Sequence, residues 1–169
     1  MKITQYILSL LLLAGVSQAQ ETTIDSHITI YSQNLTHNSA KSDGTSYNGG
    51  LALTKILGNN IMLSAGLNLE YTDTDESISP NHLFLELEFK AGYQYKEITP
   101  YILGAIKVKT DVFTQDNSGD AVGYGFGGGV GYNISKNFNI FVEYKHYQMS
   151  QTLFDYDSDM YGVGIGFKI

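Results

Sequence analysis

Four stretches of this chain carry residue types whose spacing suggests chemistry. Glu86 and Glu88 stand one residue apart, a pairing that a general acid and base would use. Asp155, Asp157 and Asp159 alternate as hard-cation ligands do, and Asp73, Asp75 and Glu76 form a second acidic group. His146 lies near Gln148 and Ser150, where an imidazole base and a hydroxyl nucleophile would have to meet. Gly125, Gly127, Gly129 and Gly131 have a density otherwise met in phosphate-binding loops. Each stretch also has a plainer reading. A calcium loop continues with glycine and a distant glutamate, whereas Met160 follows Asp159. The acids therefore read as solvated loops that gather divalent cations without a built metal site. A phosphate loop needs a helix N-terminus behind it, and no helix is predicted after Gly131. The residue two beyond His146 is Gln148, which is no nucleophile, and Ser150 would need a different geometry. The histidines at 27, 37, 82 and 146 make no metal spacing. No cofactor and no enzymatic activity are expected.

The elements that must hold these residues are strands. Tyr124, Phe126, Gly128, Val130, Tyr132 and Ile134 alternate with glycines. After Ser135 to Asn137, Phe138, Ile140, Val142 and Tyr144 alternate with Asn139, Phe141, Glu143, Lys145 and Tyr147. A period of two is that of a strand. The same period marks 24–33, 47–57, 61–71, 82–95 and 159–169. Strand 100–112 is ambiguous, because Tyr101 and Leu103 have the opposite parity from Ile102, Ile106 and Val108; Lys107 and Lys109 are assigned inward. Short connections fall near 58–60, 96–99 and 135–137. Long ones of about ten residues fall near 34–45, 72–81, 113–121 and 148–158.

One face of these strands is apolar and aromatic, and the other holds glycine and charge. That pattern predicts an all-β fold, an eight-stranded antiparallel up-and-down transmembrane β-barrel in which every backbone group is paired. A soluble sandwich or lipocalin would turn its apolar face inward instead. The even strand count puts both termini in the periplasm and the long loops outside the cell. Ahead of the barrel, Lys2, the apolar run Ile7 to Val16 and Ser17-Gln18-Ala19 read as a cleaved signal peptide over 1–19, which leaves 20–169 as one barrel domain.

Register follows from the tight turns. Pairing Ile134 with Phe138 sets Gly125, Gly127, Gly129 and Gly131 opposite Tyr147, Lys145, Glu143 and Phe141, so that glycine leaves room for bulk inside the lumen. Pairing Tyr95 with Pro100 sets Glu88 against Lys107 and Glu86 against Lys109. Glu70, Glu86, Glu88 and Glu143 with Lys90, Lys107, Lys109 and Lys145 then form an interior polar network, since charges away from water need partners. Eight strands leave a lumen just wide enough for side chains to fill. A plugged barrel is predicted, not a wide pore.

Composition narrows the partners. The formal net charge of −7 argues against nucleic acid, and no cysteine is present for disulfides or thiolate sites. Ten acids against Lys41 and Lys109 lie at or near the long-loop rim. The glycine-aromatic strand, short turn and Val142-Glu143-Tyr144-Lys145 resemble the penultimate hairpin of the opacity-like, porin-family outer-membrane β-barrel proteins. Gly164, Phe167 and Ile169 are similar to that family's terminal assembly signal, with Ile169 where the family usually carries Phe. The resemblance is strong over 120–169. It implies a Gram-negative outer-membrane protein; a monomer is expected, in contact with lipids, lipopolysaccharide and the barrel-assembly machinery. The expected role is structural or surface-interacting, with a narrow cation-preferring channel as the alternative. A lipid A-modifying enzyme is more distant: His146-Tyr147-Gln148 is similar to the His-x-Ser of outer-membrane lipid A deacylases but lacks the serine.

Overall fold

The structure, a computed structural model, describes residues 19–37, 40–74, 82–110, 121–151 and 155–169. The predicted signal peptide up to residue 18 lies outside the described residues, as do Asp75 and Glu76. Eight strands follow in order: β1 (Ala19–His37), β2 (Ala40–Leu57), β3 (Ile61–Thr74), β4 (His82–Tyr93), β5 (Ile98–Lys109), β6 (Ala121–Asn133), β7 (Phe138–Gln151) and β8 (Asp155–Lys168). Each pairs with its sequence neighbour, and β8 pairs with β1 to close the barrel. Closure leaves no edge of unpaired backbone, the condition for strands in lipid.

Apolar residues of each strand face outward. Ile28, Leu51, Leu67, Ile102, Val142 and Val163 are all more than half exposed, an arrangement that only a non-aqueous surrounding makes favourable. Aromatic rings flank this belt. Phe138 stacks near Phe167 at 5.1 Å at the short-turn end, and Tyr144 packs near Tyr161 at 5.0 Å farther up the same strand pair. On β6, Tyr124 and Tyr132 mark both girdles, roughly 20 Å apart in height for a strand tilted near 40°.

The strand 100–112 ambiguity resolves with Tyr101, Leu103 and Lys107 inward and Ile102 outward at 70% exposure. The β6–β7 register matches the predicted one, with Gly125, Gly127, Gly129 and Gly131 opposite Tyr147, Lys145, Glu143 and Phe141. The β4–β5 register is shifted by two residues. Tyr95 bridges Ile98 rather than Pro100, and Glu86 faces Lys107 while Phe84 faces Lys109. The cause is a turn of only two residues, Lys96 and Glu97, with Lys96 at φ 55°. A slip of two keeps every side chain on its face.

The predicted long loops at 34–45 and 148–158 are mostly strand. β1 runs for 19 residues and β2 for 18, well past the nine to eleven or so that a membrane requires. Ser32 pairs with Thr45 and His37 with Ala40, so this hairpin projects about 15 Å above the apolar belt. Above that belt the outward face meets water instead of lipid, so hydrophobic alternation disappears from the sequence and the ladder continues without it, while Gln33, Leu35 and Ser42 still turn inward and are buried.

Candidate functional site

The lumen has three layers between the loop end and the short-turn end, which also holds both ends of the described chain. The middle layer is the charge network. Lys145 from β7 lies 2.9 Å from Glu86, 2.6 Å from Glu88 and 3.5 Å from Glu143. Lys90 from β4 bridges Glu88 and Glu143 at 3.0 Å each. Lys107 from β5 reaches across to Glu70 on β3 at 2.9 Å. Tyrosines complete the carboxylate shells: Tyr147 donates to Glu86 at 2.5 Å and Tyr101 to Glu143 at 2.8 Å, while Tyr31 donates to the other oxygen of Glu143. The Asn68 amide donates to Glu86 at 2.8 Å. Lys107 also sits 4.0 Å from the Tyr147 ring centre and Lys145 5.3 Å from that of Tyr31, positions suited to cation–π attraction.

The predicted network residues Glu70, Glu86, Glu88, Glu143, Lys90, Lys107 and Lys145 all lie inside; Lys109 is half-buried on the same face. The predicted pairs are corrected: the structure joins Lys107 to Glu70, and Glu86 and Glu88 to Lys145. Contacts across the lumen override the cross-strand ladder because long side chains span a narrow barrel. Sequence reasoning missed Tyr31, Tyr101 and Asn68 as partners. Their signal was parity, since each stands on the glycine-and-charge face of its strand.

The glycines differ among themselves. A Cβ at Gly125 would come within 2.5 Å of the Tyr147 ring, one at Gly129 within 2.5 Å of the Val142 carbonyl, and one at Gly127 would overlap the Tyr144 carbonyl. At Gly131 the nearest atom is 3.8 Å away. The predicted space-giving role therefore does not extend to Gly131, which lies where the lumen widens. Gly162 and Gly164 on β8 do serve it, admitting the rings of Tyr31 and Phe141.

Toward the loop end the lumen is shut by Leu35, Phe84, Ala121, Met149, Tyr156 and Met160, an apolar cluster above the charges. Toward the short-turn end it opens into a cavity of about 110 Å³ lined by Asp25, His27, Thr54, Ser64, Lys90 and Phe141 among others.

Asp155, Asp157 and Asp159 are strand residues of β8, on its outward face opposite Ser150, Gln148 and His146. Ser150 donates to Asp155 at 2.8 Å; Tyr144 donates to Asp159 at 2.6 Å, and His146 lies 2.9 Å from it. Among the described residues no group of three or more His, Cys, Asp or Glu side chains converges on a metal position. His146 faces outward beside the Phe126 ring, 5.3 Å away, and Tyr124 donates to Gln148. Of the terminal signal residues, Gly164 and Phe167 sit on β8, Gly164 inward and Phe167 exposed, and Ile169 follows the strand, also exposed.

Comparison with known proteins agrees with this architecture. Neisserial surface protein A is 14% identical, with 89% of this chain and 100% of that one covered at a TM-score of 0.67. Ail, the attachment invasion locus protein of Yersinia pestis, is 14% identical over the same shares at a TM-score of 0.60. No curated protein matches in sequence. The family model of the outer membrane protein beta-barrel domain matches residues 7–168. The chain thus belongs to the outer membrane protein beta-barrel domain family, and it is an integral protein of the outer membrane.

Proposed function

We propose that this protein serves the outer membrane as a filled structural cylinder presenting its loop end at the cell surface, without enzymatic activity. The observation that carries this reading is the sealed lumen: Tyr147 and Met160 are 0% exposed, and Lys107 and Lys145 only 1%. Eight strands leave no space for an aqueous channel beside such side chains. The short turns and both termini face the periplasm, while the β1–β2 hairpin and the other loop-end connections face outward. The chain acts as a monomer. Lipopolysaccharide surrounds the outer girdle, and Gly164, Phe167 and Ile169 address the barrel-assembly machinery. Asp43, Asp73, Asp155 and Asp157 give the outer rim a negative field that gathers divalent cations between lipopolysaccharide phosphates.

That rim favours one second reading, a narrow cation-preferring channel. Ail has been crystallised with the heparin analogue sucrose octasulfate; the acidic rim here suits a cationic or neutral surface partner rather than such a polyanion. Planar-bilayer recording and liposome swelling separate the readings. The filled cylinder gives no conductance steps and no swelling, together with heat-modifiable migration on gels and membrane fractionation. Conductance on the order of nanosiemens would replace it with the channel.

A further inference from the structure

The two sides of the lumen are built differently. β6 and β8 admit rings over glycine, whereas the inner wall of β1–β3 carries hydroxyls, amides and a carboxylate. Thr29, Asn48 and Glu70 are direct cross-strand neighbours on one level of that wall. Asn68 follows on the next level of β3, its amide resting over Gly50, where a Cβ would come within 2.8 Å of its Cγ. None of the four is more than 2% exposed. Thr29 Oγ1, Asn48 Oδ1 and Nδ2, Asn68 Oδ1 and Glu70 Oε2 nevertheless have no protein partner. The other Glu70 oxygen is already taken, by Lys107 at 2.9 Å and Thr72 at 3.3 Å. A bare buried polar atom forfeits its hydration with nothing in return, and native folds rarely leave several together.

We infer that this wall is an internal hydration site, where ordered water molecules bridge Thr29, Asn48, Asn68 and Glu70. Direct cross-strand Cβ atoms stand about 5 Å apart, a gap that one water spans with two hydrogen bonds. Water fits better than a cation for two reasons. The Lys107 ammonium on the same carboxylate opposes a second positive charge, and Asn48 Nδ2 requires an acceptor, which a cation does not supply. Toward the short-turn end the same wall continues with Thr54, which donates to Ser64 at 2.9 Å, and both line the cavity there. Above Glu70 the polar line is closed by its own bonds: Ser46 donates to Gln33 at 2.6 Å, and Gln33 to Ser158 at 2.8 Å. The polar line is thus closed toward the loop end, and the inference holds whether or not the barrel interacts with anything at the surface.

The test is a high-resolution crystal structure of the full barrel, grown with rubidium, alongside NMR water-to-protein cross-relaxation in nanodiscs. The expected result is water within about 2.6–3.2 Å of Asn48 and Glu70 Oε2, with water cross-peaks at the Asn48 and Asn68 amides. In Asn48→Leu the cross-peak at Asn68 should be lost while heat-modifiable migration persists. Should that variant not fold, the wild-type structure and spectra decide alone. Asn48 turned onto a protein partner with no water beside it would overturn the inference, as would rubidium anomalous density at the site.

Discussion

Lys145 and Gly127 show how much depends on single positions. Lys145 is the shared cation of Glu86, Glu88 and Glu143. Lys145→Met leaves buried carboxylates short of a partner, and a loss of about 3–5 kcal/mol is expected in urea unfolding from vesicles. Tyr101→Phe removes one hydrogen bond to a charged group, so a smaller loss of about 1.5–3 kcal/mol is expected in the same assay. At Gly127 even alanine meets backbone, since the Tyr144 carbonyl and Lys145 Cα stand in its way. Gly127→Ala should reduce the heat-modifiable folded fraction, whereas Gly131→Ala, with 3.8 Å to its nearest neighbour, should assemble as the parent does. The sequence made the inward parity of all these residues legible, because alternation is local. It did not make the partners legible, because Lys107 meets Glu70 past the intervening strand β4 rather than along a hairpin.

The hairpins carry the lesson at the scale of elements. In β6–β7 the chain turns at Ile134 to Asn137, and the Ile134 amide donates to the Phe138 carbonyl at 3.0 Å. That closure is short enough that the polar turn residues themselves set the register. In β4–β5 the turn Lys96-Glu97 contains no glycine, asparagine or aspartate to mark it, and the positive φ of Lys96 is forced by the tight connection. Glycine is the residue such a position prefers. Lys96→Gly should raise the urea midpoint, equivalent to roughly 0.5–1 kcal/mol, and Lys96→Val should lower it by about 1–2 kcal/mol. Asn60, at φ 64°, meets the same demand in the β2–β3 turn with a residue that tolerates it. The overlong strands escaped the sequence because hydrophobic alternation reports a lipid-facing surface, and Ser32 to Thr45 has none.

Taken whole, the barrel is an inverted core: apolar outside, polar and charged at its middle, apolar again at the loop end. The belt sets the cost of charge by depth. Leu67, between Leu51 and Leu87 at mid-height, should tolerate lysine worst, losing about 2–4 kcal/mol on unfolding from vesicles. Val122, beyond the Tyr124 girdle, should lose no more than about 1 kcal/mol with the same substitution. The sequence by itself determined the faces of every strand but β5, the strand count and the glycine-to-bulk register of β6–β7, because each depends on neighbours a few residues apart and on which face meets lipid. Only the tertiary structure decided which lysine serves which carboxylate and where the lumen is shut. Those contacts, such as Lys145 on β7 with Glu86 on β4, join strands that share no ladder and meet only inside the closed barrel.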